Sequence, residues 1–265
     1  MKAIDTEELK RLQIGILDNV ACYCDNNNIN YWLDCGTLLG AIRHNGYIPW
    51  DDDIDIGMLR PDFDRFIHEF NDYNNRYQVH CIENDPKYYF VQAKVLDTET
   101  VLYEPDEKGL KHCVNIDIFV YDNAPNDDRE LKKAFDRRDF YRTCNILRTL
   151  NNQPSGGVMR RAFVHLLRLF VKVHRKDYYC RKMLQNAKRY NGQTMERVGN
   201  FSSFKRTVCN KTVFESFVDH IFEGKMYKIP SGYDEWLRAF YDDYMKLPPE
   251  ENRVSHHKFV AYINE

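Results

Sequence analysis

The segment Trp50-Asp51-Asp52-Asp53-Ile54-Asp55 puts four carboxylates into five consecutive positions. Ile54, Ile56 and Met58 alternate with Asp53 and Asp55, and this period of two predicts a β-strand with its acids on one face. On such a strand the Cα atoms of Asp53 and Asp55 stand about 6 to 7 Å apart, so both carboxylates can reach one hard cation. Crowded acids raise one another's pKa unless a positive charge neutralises them. Mg²⁺, which takes one or two carboxylates together with phosphate oxygens, meets that need, and Mn²⁺ is a substitute. Asp51 shares the face, as a further ligand or as a neighbour that supports the ligands, and Asp52 points the other way. A solvated acidic turn is the bland alternative, and the apolar alternation argues against it. An EF-hand loop fails because its sixth position would be Ile56, not Gly, and its twelfth Asp62, not Glu.

Two ligands on one strand leave the far side of an ion open, so a third acid is expected from another strand. Asp117 interrupts the apolar run Val114, Ile116, Ile118, Phe119, Val120, where an unpaired charge is costly to bury. Upstream, Gly36-Thr37 lies between a predicted strand and a predicted helix. A glycine there lets a phosphate approach the backbone, and a hydroxyl with the helix N-terminus can hold it. That turn alone is weak, because many such turns contain Gly and Thr for geometry only.

The elements that position these residues follow from periodicity. Asp5 and Glu8 cap a first helix with Leu9, Leu12, Ile16, Val20 and Cys24 on one face. Strands are predicted at Tyr31 to Asp34, Tyr77 to Ile82, Tyr89 to Val95, Val101 to Glu104 and Cys113 to Tyr121. Helices are predicted at Leu38 to Arg43, at 61 to 73, and beyond Pro125 at 127 to 150, 158 to 190, 213 to 222 and 231 to 245. The reading is an α+β fold: a mixed-sheet core flanked by helices over residues 1–125, and a mostly helical part over 126–265. With 265 residues a sizeable core is expected. The 38 basic and 40 acidic side chains nearly cancel, so the overall charge offers no nucleic-acid footprint. Eight scattered cysteines without a CxxC pair speak against structural zinc. The N-terminus lacks the apolar core of a signal peptide, and the apolar run Ala162 to Val173 is too short to span a bilayer. The expectation is a cytoplasmic protein with free thiols.

Gly36-Thr37, Asp53-Ile54-Asp55 and Asp117 follow the order of the nucleotidyltransferase-fold superfamily. More specifically, LDCGTLLGAIRHNGYIPWDDDIDIGMLRPDFDRF, Leu33 to Phe66, resembles the signature of the LicD family of phosphocholine transferases, relatives of the fukutin and fukutin-related ribitol-phosphate transferases. Lys94 to Thr100, Asn115 to Phe119, Ile229-Pro230, Tyr241 to Tyr244 through Leu247-Pro248-Pro249, and Arg253 to His257 resemble later blocks of that family. Asp242 departs from it, standing where the pattern has Gly.

The resemblance implies transfer of a phospho-alcohol, typically phosphocholine from CDP-choline, onto a sugar hydroxyl of a cell-surface glycan or lipid-linked glycan precursor, with release of CMP. It assigns Asp53 and Asp55 to the metal and Asp117 to metal or general base. Arg43, Lys94, Arg253, His256 and His257 become candidates for phosphate binding beside Gly36 and Thr37. If the donor carries choline, rings should surround it, and the candidates are Trp50, Tyr88, Tyr89, Trp236, Tyr241 and Tyr244. Another CDP-alcohol such as ribitol or glycerol, a nucleotide-sugar glycosyltransferase, and a nucleotide-binding scaffold without turnover are the alternatives. Residues 158 to 189 are strongly basic, with Asp177 their one acid, and carry Phe163, Leu166, Leu167 and Phe170 as an apolar stripe. Such a stretch contacts an anionic membrane at its inner face or a lipid-pyrophosphate acceptor, or else packs its stripe on the core.

Overall fold

The computed structural model describes residues 2–85, 87–88, 90–103, 111–149, 157–254 and 260–263. In chain order these form β1 (Lys2–Ile4), α1 (Thr6–Asn27), β2 (Trp32–Leu33), α2 (Cys35–His44), β3 (Asp55–Leu59), α3 (Arg60–Tyr73), β4 (Tyr77–His80), β5 (Ala93–Asp97), β6 (Thr100–Tyr103), β7 (Lys111–His112) and β8 (Asn115–Ala124). There follow α4 (Asp128–Thr149), α5 (Val158–Lys172), α6 (Tyr178–Ala187), β9 (Arg197–Gly199), β10 (Val208–Asn210), β11 (Phe217–Phe222), β12 (Lys225–Pro230), α7 (Tyr233–Tyr241) and β13 (Val260–Ile263). The fold is α+β, with a mixed sheet and flanking helices.

The central sheet runs β10-β9-β8-β3-β2, with β5 also on β8 and β4 on β5. β3 and β8 are parallel, and the other pairs are antiparallel. β8 is its axis: residues 115–118 pair with β5, 117–121 with β3 and 122–124 with β9. A second sheet, β1-β13-β6-β7, joins the two ends of the chain, and β11-β12 form a hairpin. Strands from both sides of position 125 therefore share sheets.

α1 starts as its sequence dictates, with the Asp5 carboxylate accepting the Glu8 N–H, and it buries Leu9, Leu12, Ile16, Val20 and Cys24. α3 begins with Pro61 in its first turn and turns Phe63, Phe66, Ile67 and Phe70 inward. One close approach sets the register of β2 on β3. The Trp32 indole lies against Gly57, where a Cβ would come within 2.3 Å of it. Trp32 also stacks on Phe214 with centroids 4.3 Å apart, so the hairpin region is tied to the sheet by aromatic packing.

Three expectations are corrected. The helix predicted over 213 to 222 is mostly strand: Phe217–Phe222 pairs with Lys225–Pro230 across Glu223-Gly224, both at positive φ (49° and 75°). Two such residues in a two-residue turn match the right-handed twist of a hairpin, and this outweighs helix propensity. The single helix over 158 to 190 is two, broken at Val173 to Asp177. The acidic strand pairs from Asp55 onward only, because Asp51 to Ile54 complete the approach from a turn closed by the Asp51 N–H on the Ile48 carbonyl.

Candidate active site

Asp55 opens β3 and sits in parallel register with Asp117 of β8. Neighbouring strands are about 4.8 Å apart, so in-register partners project from the same face of the sheet. The Asp55 N–H donates to the Thr37 hydroxyl oxygen at 2.8 Å, and its carbonyl accepts the Asp34 N–H at 3.0 Å. α2 thereby clamps the start of the acidic strand. Asp55 is 9% exposed, and its carboxyl is pushed well above the usual carboxylate range, first by burial and then by the charges of Asp53, Asp117, Asp34 and Asp51. Asp51 reaches the same place by lying on α2: a Cβ on Gly36 would come within 2.7 Å of its Oδ2, so a larger residue there would push the carboxylate aside.

Lys94 of β5 pairs in register with Asp117, ion-pairs with its Oδ1 and donates to Asn115 Oδ1 at 3.0 Å. It acts first on the acid rather than waiting for a phosphate. Among the described residues no three His, Cys, Asp or Glu side chains are gathered closely enough to hold a metal ion. The donor chemistry nevertheless suits a hard divalent cation: the groups are all carboxylates, they bear on one another electrostatically, and the most buried of them carries the largest penalty for its charge.

The backbone entering α2 is strained. Cys35, non-glycine and buried, has φ 46°, a conformation costing about 1 to 3 kcal/mol that accumulates at functional sites. Burial, then the charges of Asp34, Asp55, Asp53 and Asp117, hold its thiol protonated. Beside it, fully buried Asp34 accepts the Tyr121 hydroxyl at 2.6 Å and the Trp236 Nε1–H at 3.0 Å. Burial raises its pKa against those two bonds.

A basic flank lies close by. Arg43 donates to His44 Nε2 and to the Tyr244 carbonyl, both at 3.0 Å. Its pKa is lowered by burial, with the charge of Arg253 adding to the effect. Burial, then Arg43, lowers His44, so near neutral pH that ring is an uncharged acceptor. The Arg253 guanidinium lies 5.7 Å from the centre of the Trp50 ring, while its Nε–H donates to the Pro248 carbonyl at 2.9 Å. His44 meets Trp50 edge-on at 6.4 Å.

The ring candidates divide. Tyr88 bonds the Gln92 carbonyl at 2.7 Å, and its phenol pKa is raised by burial, then by Asp117. Half-buried Tyr241 is raised by burial, then by Cys35, Asp55, Asp34 and Asp51. Both phenols feel the charge of the acids. Trp236 is fully buried against Tyr121 and Phe240, with centroids 5.4 Å away in each case, and has no open face for a ligand. Tyr244 is also buried: its hydroxyl donates to Asp234 at 2.7 Å, and Arg238 sits 5.7 Å from its ring centre. Both are buried, at 0% and 7% exposure, whereas Trp50, Tyr88 and Tyr241 are partly exposed. Tyr89, His256 and His257 lie outside the described residues.

The family model described as "LicD/FKTN/FKRP, nucleotidyltransferase domain" matches residues 28–159, the span that carries β2, α2, β3, β5 and β8. The "Lipopolysaccharide cholinephosphotransferase LicD" of Haemophilus influenzae is 32% identical over 275 aligned positions, covering 99% of this chain and 100% of that protein. The chain belongs to the LicD family. It is a transferase. A 55-residue stretch is 40% identical to the human "Ribitol 5-phosphate transferase FKRP", covering 21% of this chain and 10% of that protein. An uncharacterized protein of Rickettsia typhi is 32% identical over 137 residues, 48% of this chain and 40% of that one.

Asp34, Cys35 and His44 have no role in the sequence reading. All three lie inside the stretch that carries the family resemblance, and the signal available was their adjacency to Gly36 and Arg43. Their functions in the site, an acid buried behind α2, a strained link and a neutral acceptor, are set by contacts with Tyr121, Trp236 and Arg43.

Proposed function

We propose that this chain transfers phosphocholine from CDP-choline to a sugar hydroxyl of a cell-surface glycan or a lipid-linked glycan precursor, releasing CMP. The observation that carries the reading is the register of Asp55 against Asp117, with Asp53 and Asp51 bearing on the same buried carboxylate. Asp53, Asp55 and Asp117 would hold Mg²⁺ or Mn²⁺, which would neutralise the diphosphate as the bond to CMP breaks. Arg43 and Arg253 would take phosphate oxygens by charge-assisted hydrogen bonds. In the reaction the acceptor oxygen bonds to the distal phosphorus, the bond from that phosphorus to the CMP oxygen breaks, and the hydroxyl proton passes to a base. Asp117, ion-paired with Lys94, serves as the third metal ligand or as that base. Trp50, Tyr88 and Tyr241 are the rings that remain for a trimethylammonium group.

The match to the ribitol 5-phosphate transferase favours CDP-ribitol as a second donor reading. Two measurements separate them: CMP release from each donor with a sugar acceptor, with and without Mg²⁺, and melting temperature with CDP-choline, CDP-ribitol, UDP-glucose and CTP. The proposal expects Mg²⁺-dependent CMP release and the largest stabilisation with CDP-choline. Stabilisation by UDP-glucose alone, or binding without product, would overturn it.

A further inference from the structure

α5 has two apolar stripes, and only one is covered. Val164, Leu167, Arg168 and Val171 turn inward, with Val171 packed against Cys144 of α4 and Tyr179 of α6. On the opposite side Met159, Phe163, Leu166, Phe170 and Val173 recur at spacings of three and four, one line along the helix. They are 88%, 59%, 52%, 67% and 81% exposed. Five large apolar side chains in one exposed row are far more than the scattered exposed residues any surface carries.

The charge around this row has one sign. Arg160, Arg161, Lys172, Arg175 and Lys176 are exposed, and Asp177 is the one acid between 158 and 189. That acid is already engaged by Arg181 at 2.6 Å and Arg175 at 3.4 Å. An apolar row bordered by cations matches a lipid surface, with acyl chains beneath and anionic headgroups at the level of the basic side chains. The geometry does not match a spanning segment: among the described residues no helix is long and apolar enough to cross a membrane.

We propose that α5 is an interfacial anchor that lies in the plane of an anionic bilayer, its Met159–Val173 row inserted and its flanking cations on the headgroups. Electrostatics brings the chain to the surface, and the apolar row holds it there. This contact is independent of the donor chemistry, so its test reads binding rather than turnover.

The test is co-sedimentation of the full chain with vesicles of phosphatidylcholine alone and of phosphatidylcholine with phosphatidylglycerol, at low and high salt. The expected result is binding to the anionic vesicles at least tenfold tighter than to the neutral ones, weakened severalfold by 0.5 M salt on the order of a shortened Debye length. Phe163→Glu/Phe170→Glu should reduce it at least tenfold, and Arg160→Gln/Lys172→Gln should reduce it while flattening its salt dependence. All four positions are exposed, so melting temperature and CMP release in solution should match the parent chain. No binding to anionic vesicles would overturn the proposal. So would equal binding by Phe163→Glu/Phe170→Glu, or a concentration-dependent dimer abolished by that variant in a chain that ignores vesicles.

Discussion

β8 carries two acid clusters that differ in how their charge is balanced. Asp117 and Asp122 stand five positions apart, so the pleat sends them to opposite faces of the sheet. Around Asp122 the charges are closed: Arg60 donates to both its oxygens at 2.7 and 2.9 Å and to Glu83 at 2.9 Å, Lys188 pairs with Glu83, and Asn191 caps Asp122 at 2.6 Å. Burial alone would lower the Arg60 pKa, yet Asp122, Glu83 and Asp64 raise it. Around Asp117 the acids bear on one another: Asp53, Asp117, Asp34 and Asp51 add to burial in raising the pKa of Asp55. Arg60 and Lys188 answer the acids around Asp122 within the fold, whereas we propose that the acids around Asp55 take a cation that arrives with the substrate.

The largest expected effect concerns the cluster around Asp55. Asp55→Asn should lower kcat by about 10³-fold or more, the several kcal/mol of charge stabilisation that a metal-binding carboxylate supports, read by CMP release. In metal-free buffer the same change should raise the melting temperature. Asp55 is harder to ionise folded than unfolded, so its charge opposes folding once pH rises above the unfolded carboxylate range of about 4. The gain should vanish in acid, where Asp55 is protonated in both states, and grow toward neutrality. A variant less stable than the parent at neutral pH without metal would break the contrast.

In the closed cluster Arg60→Met should do the reverse. It leaves Asp122 buried without its cation and Glu83 with Lys188 alone, at a cost of about 3 to 5 kcal/mol, seen as a fall in melting temperature of roughly 10 °C. CMP release per folded molecule should be unchanged. On the basic flank, Arg43→Ala should raise KM for the donor by about 10- to 100-fold, the worth of one or two charge-assisted hydrogen bonds. The smallest effect belongs to Asp242, which ends α7 with φ 57° and ψ −118°. That backbone suits glycine, so Asp242→Gly should stabilise by about 1 kcal/mol, measurable as a melting shift of a few degrees.

Legibility in the sequence followed the range of the interaction involved. The acids at 53, 55 and 117 stood out because a charge in an apolar alternating strand violates a local pattern, and α1 and α3 were readable from caps and helical spacing. Gly36 and Thr37 carry a local signal for phosphate, while their contacts with Asp51 and the Asp55 N–H, made across 15 and 18 positions of chain, leave no mark in the sequence. Asp34 was passed over because its partners Tyr121 and Trp236 are 87 and 202 residues away. Trp236 and Tyr244 show the same limit, since an aromatic residue reads alike whether it lines a pocket or fills a core. α5 shows it once more: a stripe facing a core and a stripe facing outward have the same period.

The central claim is that Asp53, Asp55 and Asp117 together bind one divalent ion that the nucleotide donor requires. Calorimetric titration of Mn²⁺ into the chain with CDP-choline present, beside Asp55→Asn, tests it directly. The account predicts one bound ion in the parent chain and its loss in the variant. Equal binding by both, or none by the parent chain, would contradict it.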